Sequence, residues 1–146
     1  MDPLSITVSV LSLAVAAHTT CEALGKLRSI FKTLPGRLHA LNNEVADLEI
    51  VLNELATLIK ERQAVPVLEN PKGHDQIPAI VNHTQNLLSD LRRIVEQISV
   101  AGGCSKIAPV QKIRAWQRHI TQLNLLQDEI RTAKSSLNLI IGTSSL

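Results

Sequence analysis

Hydrophobic side chains recur along this chain at intervals of three and four residues, the spacing that lines one face of an α-helix. The first such seam runs Ile6, Val10, Leu13, Ala17, Thr20, Leu24, Leu27, Phe31 and Leu34, with Thr20 its polar member. Asp2 followed by Pro3 has the form of a helix start: the carboxylate accepts bonds from orphan amides, and proline has no amide to lose. The alternation of apolar and polar residues from Leu4 to Val10 would on its own suit a strand, but no other segment offers a partner strand. The long seam therefore decides for a helix. Ser5, Ser9, Ser12, Ala16 and Thr19 form a second stripe of small residues on it.

Leu34-Pro35-Gly36 interrupts the pattern, and Pro35 is suited to open the next helix. The seam that follows, Leu38, Leu41, Val45, Leu48, Leu52, Leu55 and Ile59, is the most regular in the chain and has a coiled-coil-like face. It is expected to end near Glu61 to Gln63, ahead of Pro66, Pro71 and Gly73. A third helix is expected from about Asp75 to Pro78, with Pro78 in its first turn, Ile80, Leu87, Leu91, Ile94 and Ile98 inward, and Gly102-Gly103 at its end. Pro109 opens a fourth, whose inward face is Ile113, Trp116, Ile120, Leu123, Ile130, Ala133, Leu137 and Ile140. Four long helices predict an all-α fold, an antiparallel four-helix bundle over residues 1–141, with 142–146 as a C-terminal tail.

The first helix differs from the others in one respect. From Pro3 to Cys21 it contains no Asp, Glu, Lys or Arg, and Leu4, Ile6, Val8, Val10, Leu11, Leu13 and Val15 dominate it. A helix of that length reaches about 28 Å, close to the hydrocarbon thickness of a bilayer. Its serines and threonines suit a protein core as well as lipid. Its seam with Leu24, Leu27 and Phe31 makes burial the expected resting state, and membrane contact conditional on release.

The 146 residues are 45 % apolar, enough for one domain with a real core. Aromatics are limited to Phe31 and Trp116, which argues against base-stacking recognition, and the net charge of +2 is too small to argue for nucleic acid. The charge is unevenly placed. Lys26, Arg28, Lys32 and Arg37 form one basic stretch and Lys106, Lys112, Arg114 and Arg118 another, with the acidic Glu44, Asp47, Glu49 and Glu54 between them. These cations are either solvated helix faces or candidates for anionic lipid head groups, each worth about 1 kcal/mol near a membrane surface. Cys21 and Cys104 belong to no paired motif and read as thiols of a reducing compartment. Met1-Asp2-Pro3 has neither the basic start of a secretory signal nor the Met-Gly of myristoylation, so the expected location is cytoplasmic, with recruitment to the plasma membrane on activation.

Enzymatic chemistry finds little footing. The chain has no Gly-rich phosphate loop, His-Glu-x-x-His run or Gly-x-Ser-x-Gly elbow, and His18, His39, His74, His83 and His119 are scattered without ligand spacing. Glu44, Asp47 and Glu49 read as a solvated face rather than an acid/base pair. Trp116, between Arg114 and Arg118, has the character of an interfacial anchor, but its place on the inward seam favours the core. No catalytic residue, cofactor or metal is expected.

The opening Met1-Asp2-Pro3-Leu4-Ser5-Ile6-Thr7 resembles that of the HeLo-like N-terminal domains of fungal STAND/NLR-type immune receptors. Trp116, followed by a long helix closing Ala133-Lys134-Ser135-Ser136-Leu137-Asn138-Leu139-Ile140, is similar to their last helix, and Pro35 agrees with their layout. The resemblance implies a bundle related to the fungal HeLo cell-death domains and to the mixed-lineage kinase-like effector. Such a domain is non-enzymatic, clusters through a sensor, and engages membrane through its first helix. Carried onto this chain, the membrane-active residues are Leu4, Ile6, Val8, Val10, Leu11, Leu13 and Val15. The implied partners are other copies of the chain, anionic membrane lipids, and receptor or adaptor domains, with no nucleic acid. The alternative is a helical protein–protein interaction or oligomerisation module without membrane activity.

Overall fold

The computed structural model describes residues 3–30, 35–63, 71–102 and 109–144, and the side chains of 5–27, 38–61, 77–99, 114 and 117–142. Every described segment is helical: α1 is Pro3–Ile30, α2 Pro35–Gln63, α3 Pro71–Gly102 and α4 Pro109–Ser144. A proline stands first in each, where its fixed φ suits the helix and its missing amide leaves no bond unmade.

The four seams close on one core. All members of the first seam from Ile6 to Leu27 are buried, Thr20 included, and so is the whole second seam from Leu38 to Ile59. Phe31 and Leu34, and the side chains of Ile113 and Trp116, lie outside the described residues. Leu87, Leu91, Ile94 and Ile98 from α3 and Leu123, Ile130, Ala133, Leu137 and Ile140 from α4 complete the expected core, with Ile80 and Ile120 half-buried at its margin. The core is wider than the spacing predicts, because Ala14, Val51, Ala56, Ile77, Val81, Leu88, Val95 and Leu126 also enter it. Each of these adjoins a seam residue on its helix, which gives the broad apolar stripe of a globular bundle rather than a coiled-coil seam. Buried Thr20 and Thr84 donate their hydroxyls to the carbonyls of Ala16 and Ile80, each at 2.7 Å, so neither leaves a polar group unsatisfied.

Two boundaries differ from expectation. α3 begins at Pro71, so Pro78 lies inside the helix instead of in its first turn. Pro71 is equally suited to the first position, and Pro78 removes one bond near the start of a helix long enough to absorb the loss. α4 continues past the expected end at 141 to Ser144, Gly142 notwithstanding.

Among the described residues α1 packs on α2 and α3, and α4 packs on α2 and α3, while α1 and α4 do not touch and neither do α2 and α3. The helices therefore stand around a square in the order α1, α2, α4, α3. On α1 and α2, His18 meets Glu49 and Cys21 meets Asn42, so these two run in opposite directions. On α4, Arg131 and Lys134 meet Glu44, and Ile141 lines a groove with Ile50 to Glu61, so α4 runs in the same direction as α2. The residues joining α3 to α4 are too few to span a helix length, so α3 ends near where α4 begins. Successive helices are thus antiparallel, and α2 and α3, consecutive in the chain, stand at diagonal corners of the square.

Candidate membrane-facing and interaction surfaces

The seven apolar residues at the start of α1 divide by helical geometry into two sets. Ile6, Val10 and Leu13 are buried at 3 % exposure or less, whereas Val8 and Val15, two turns apart, stand 57 % and 66 % exposed. Leu11 is half-buried, and the side chain of Leu4 lies outside the described residues. The expectation that Pro3 to Cys21 is core therefore holds for one face alone. The outward face joins Val8 and Val15 to exposed Ser5 and Ser12 and half-buried Ser9, Ala16 and Thr19, the small-residue stripe of the sequence. It is an uncharged surface more than three turns long. A 23-residue stretch, Ser5–Leu27, is long and apolar enough to cross a membrane, with 39 % of its most apolar part buried in the bundle.

Charge begins at the far end of that face. The His18 ring lies 3.1 Å from Glu22 one turn on and 3.1 Å from Glu49 of α2. A neutral imidazole donates from one nitrogen alone, so donation to both carboxylates at once requires the protonated ring. Beneath it, the Cys21 thiol is pushed up to about 11 by burial and by the nearby charge of Glu49, which leaves little nucleophilic thiolate near neutral pH.

The basic residues occupy one end of the bundle but not one side. Lys26 and Arg28 lie towards the end of α1, Arg37 near the start of α2, and Lys112, Arg114 and Arg118 in the first turns of α4, all at the end where α1 finishes and α2 and α4 begin. Lys32 and Lys106 lie outside the described residues. Lys26, Arg114 and Arg118 are exposed. Because α1 and α4 hold opposite corners, the outward face of α4 that carries Arg114 and Arg118 looks away from the outward face of α1. A flat surface cannot meet Val8, Val15 and the α4 arginines together while the bundle is closed.

The acidic stretch of α2 is not simply a solvated face. Glu44, with 15 % of its side chain exposed, accepts hydrogen bonds from Arg131 Nε at 2.8 Å and Lys134 Nζ at 2.9 Å, and Lys134 lies 3.5 Å from Asp47. Burial opposes ionisation of Glu44, but the two charged donors outweigh it and hold the carboxyl below its ordinary range. The hydrogen bond to Glu44 in turn raises Lys134. This clasp ties α2 to α4. Spacing along α2 alone could not reveal it, because Arg131 and Lys134 arrive from a helix distant in sequence.

Residues 1–74 of the 146 match the family described as pigment biosynthesis cluster protein PigL N-terminal. The chain belongs to the PigL N-terminal family. The match spans the whole α1–α2 hairpin of this PigL N-terminal domain, and with it the uncharged face, the His18–Glu49 contact and the acidic half of the clasp. No curated protein and no solved structure is significantly similar to the chain.

In the PigL N-terminal domain, no three His, Cys, Asp or Glu side chains among the described residues converge as metal ligands would. The sequence-predicted residues fall instead into an apolar face on α1 and two separated basic groups. Spacing alone missed an outward groove on α2 of about 420 Å³, lined by Ile50, Asn53, Glu54, Thr57, Leu58 and Glu61 with Ile141 of α4. The signal for it was Ile50, an apolar residue off the α2 seam.

Proposed function

We propose that this domain is a non-enzymatic signalling bundle of the HeLo-like kind, which self-associates in the cytoplasm and delivers α1 to a membrane when the bundle opens. The carrying observation is the two-sidedness of α1: a buried aliphatic seam inside, and an outward face without charge from Ser5 to Ala17. Ile6, Val10 and Leu13 gain about 1.5–3 kcal/mol each from burial in the core, and lipid offers a comparable gain. The outward face brings no charge into the hydrocarbon over that span, so release from the core costs little once lipid is at hand. Clustering raises the local concentration of such helices and tips the balance. Anionic lipid head groups attract Lys26, Arg28, Lys32 and Arg37 on the α1–α2 side, and Lys106, Lys112, Arg114 and Arg118 after the bundle opens. The family description names a pigment biosynthesis cluster protein and supplies no substrate.

Dye release from vesicles of neutral and anionic phospholipid tests the reading. Wild-type protein, clustered through a fused dimeriser, is expected to release dye. Val8→Glu with Val15→Glu is expected to abolish release without changing helicity, since both positions are exposed. Absence of leakage at any protein concentration overturns membrane action. The second reading, a helical module that binds receptor or adaptor domains, is supported by the same exposed valines, which also suit a partner helix.

A further inference from the structure

Two surface features at opposite ends of the bundle match one another. The α2 groove has an apolar base of Ile50, Leu58 and Ile141 and an acidic edge of Glu54 and Glu61, with Ile50 57 % exposed. On α4, Leu125 is 59 % exposed and lies two turns beyond Arg118 and three beyond Arg114, on the same outward side of the helix. Ile50 and Glu61 are separated by eleven residues on α2, and Arg114 and Leu125 by eleven on α4. Laid antiparallel, the two faces set Leu125 against Ile50, Arg114 against Glu61, and Arg118 between Glu54 and Glu61. Within one molecule they cannot meet, because the groove sits beside Ile141 and Arg118 lies about 35 Å away along α4.

We infer that the occupant of the groove is α4 of a second copy of this chain, and that the domain assembles head to tail through this contact. The charge complementarity favours a second copy: the acidic edge faces outward near one end, and the basic stripe that fits it lies near the other. The contact is heterologous, so each copy offers one groove and one stripe, and the assembly grows as an open chain unless its rotation closes a ring. It gives the α4 arginines a role that the closed bundle otherwise denies them, since they look away from the α1 face. The inference rests on the reading of the domain as a self-associating module and identifies the surfaces it uses.

The test is sedimentation of the purified full chain over a concentration series. Wild type is expected to increase in mass with concentration at low salt and to fall back towards monomer at about 0.5 M salt, where surface pairs are screened. Ile50→Glu and Leu125→Glu, both at exposed positions, are each expected to weaken association about tenfold or more while helicity is unchanged. Mixed together, the two variants are expected to form a one-to-one dimer, because Ile50→Glu retains an intact stripe and Leu125→Glu an intact groove. Glu54→Arg with Glu61→Arg is expected to block assembly, and adding Arg114→Glu and Arg118→Glu to restore it. Wild type that stays monomeric throughout, or a Leu125→Glu protein that assembles as wild type does, overturns the inference. Dye release is a separate readout: chains without leakage remove membrane action and leave this contact standing, and leakage without chains does the reverse.

Discussion

Helices α1 and α2 bury nearly equivalent seams and present opposite exteriors. Inside, Val10, Ala17, Leu24 and Leu27 of α1 are as inaccessible as Leu38, Val45, Leu48 and Leu52 of α2. Outside, α2 carries Asn43, Asp47, Asn53, Glu54, Lys60 and Glu61, whereas α1 carries Ser5, Val8, Ser12 and Val15 before its first charge. A helix needs one apolar face to join a bundle and a polar opposite face to meet water, and α2 satisfies both requirements except at the groove, where Ile50 stands exposed. The apolar exterior of α1 from Ser5 to Ala17 exceeds what folding requires.

The equivalence of the interiors is the easiest part to break. Leu24→Ala and Leu48→Ala each remove a fully buried side chain from a core shared by all four helices. Each is expected to lower unfolding free energy by about 2–5 kcal/mol, read as a fall in the midpoint of chemical denaturation. A much smaller loss for Leu24 than for Leu48 would mean that α1 is held less firmly than its burial indicates, and so is closer to release.

A smaller effect distinguishes how the two helices are tied to their neighbours. α2 is bound to α4 by the Glu44 clasp, and α1 is tied to α2 by the more exposed His18 contact. Glu44→Gln is expected to cost about 1 kcal/mol, since it weakens two charged hydrogen bonds at a largely covered site. The folded carboxyl titrates below its ordinary value near 4.5, so its contribution is fully present above that value and is lost as pH falls through the lower folded value. Denaturation midpoints of wild type and Glu44→Gln, well separated at pH 7, are expected to converge in that acidic window. Curves that stay parallel down to low pH would show that the clasp adds nothing to stability.

The interiors were legible in the sequence because helical spacing reports burial directly. Every described member of the first two seams is buried, and Pro35 and Pro109 mark the helix starts. Pro78 misled because a proline is compatible with a first turn wherever it stands, and the better candidate, Pro71, lies in a stretch without apolar spacing. The arrangement of the helices was less legible. Spacing along one helix says which face is inward but not which neighbour it meets, so the diagonal placement of α2 and α3 was hidden. With it were hidden the clasp, the separation of the α4 arginines from the α1 face, and the groove on α2. The seven apolar residues of α1 read as one group in sequence; only the partition of Ile6, Val10 and Leu13 from Val8 and Val15 separates what holds the bundle from what it shows to its surroundings.

The smallest expected effect is the sharpest test of that partition. Val8→Ser and Val15→Ser replace exposed valines with the residue that already fills much of the same face, and serine and valine have similar helix propensities. Neither side chain contributes to the core, so the double variant is expected to unfold within about 0.5 kcal/mol of wild type. In the same protein, partition onto anionic vesicles is expected to fall, because the outward apolar area of α1 has been removed while its charge is unchanged. A stability loss comparable to that of Leu24→Ala would instead place the valines in a packed interface. That outcome would make the exterior of α1 a second interior, covered by another chain, and would favour the interaction module over the membrane helix.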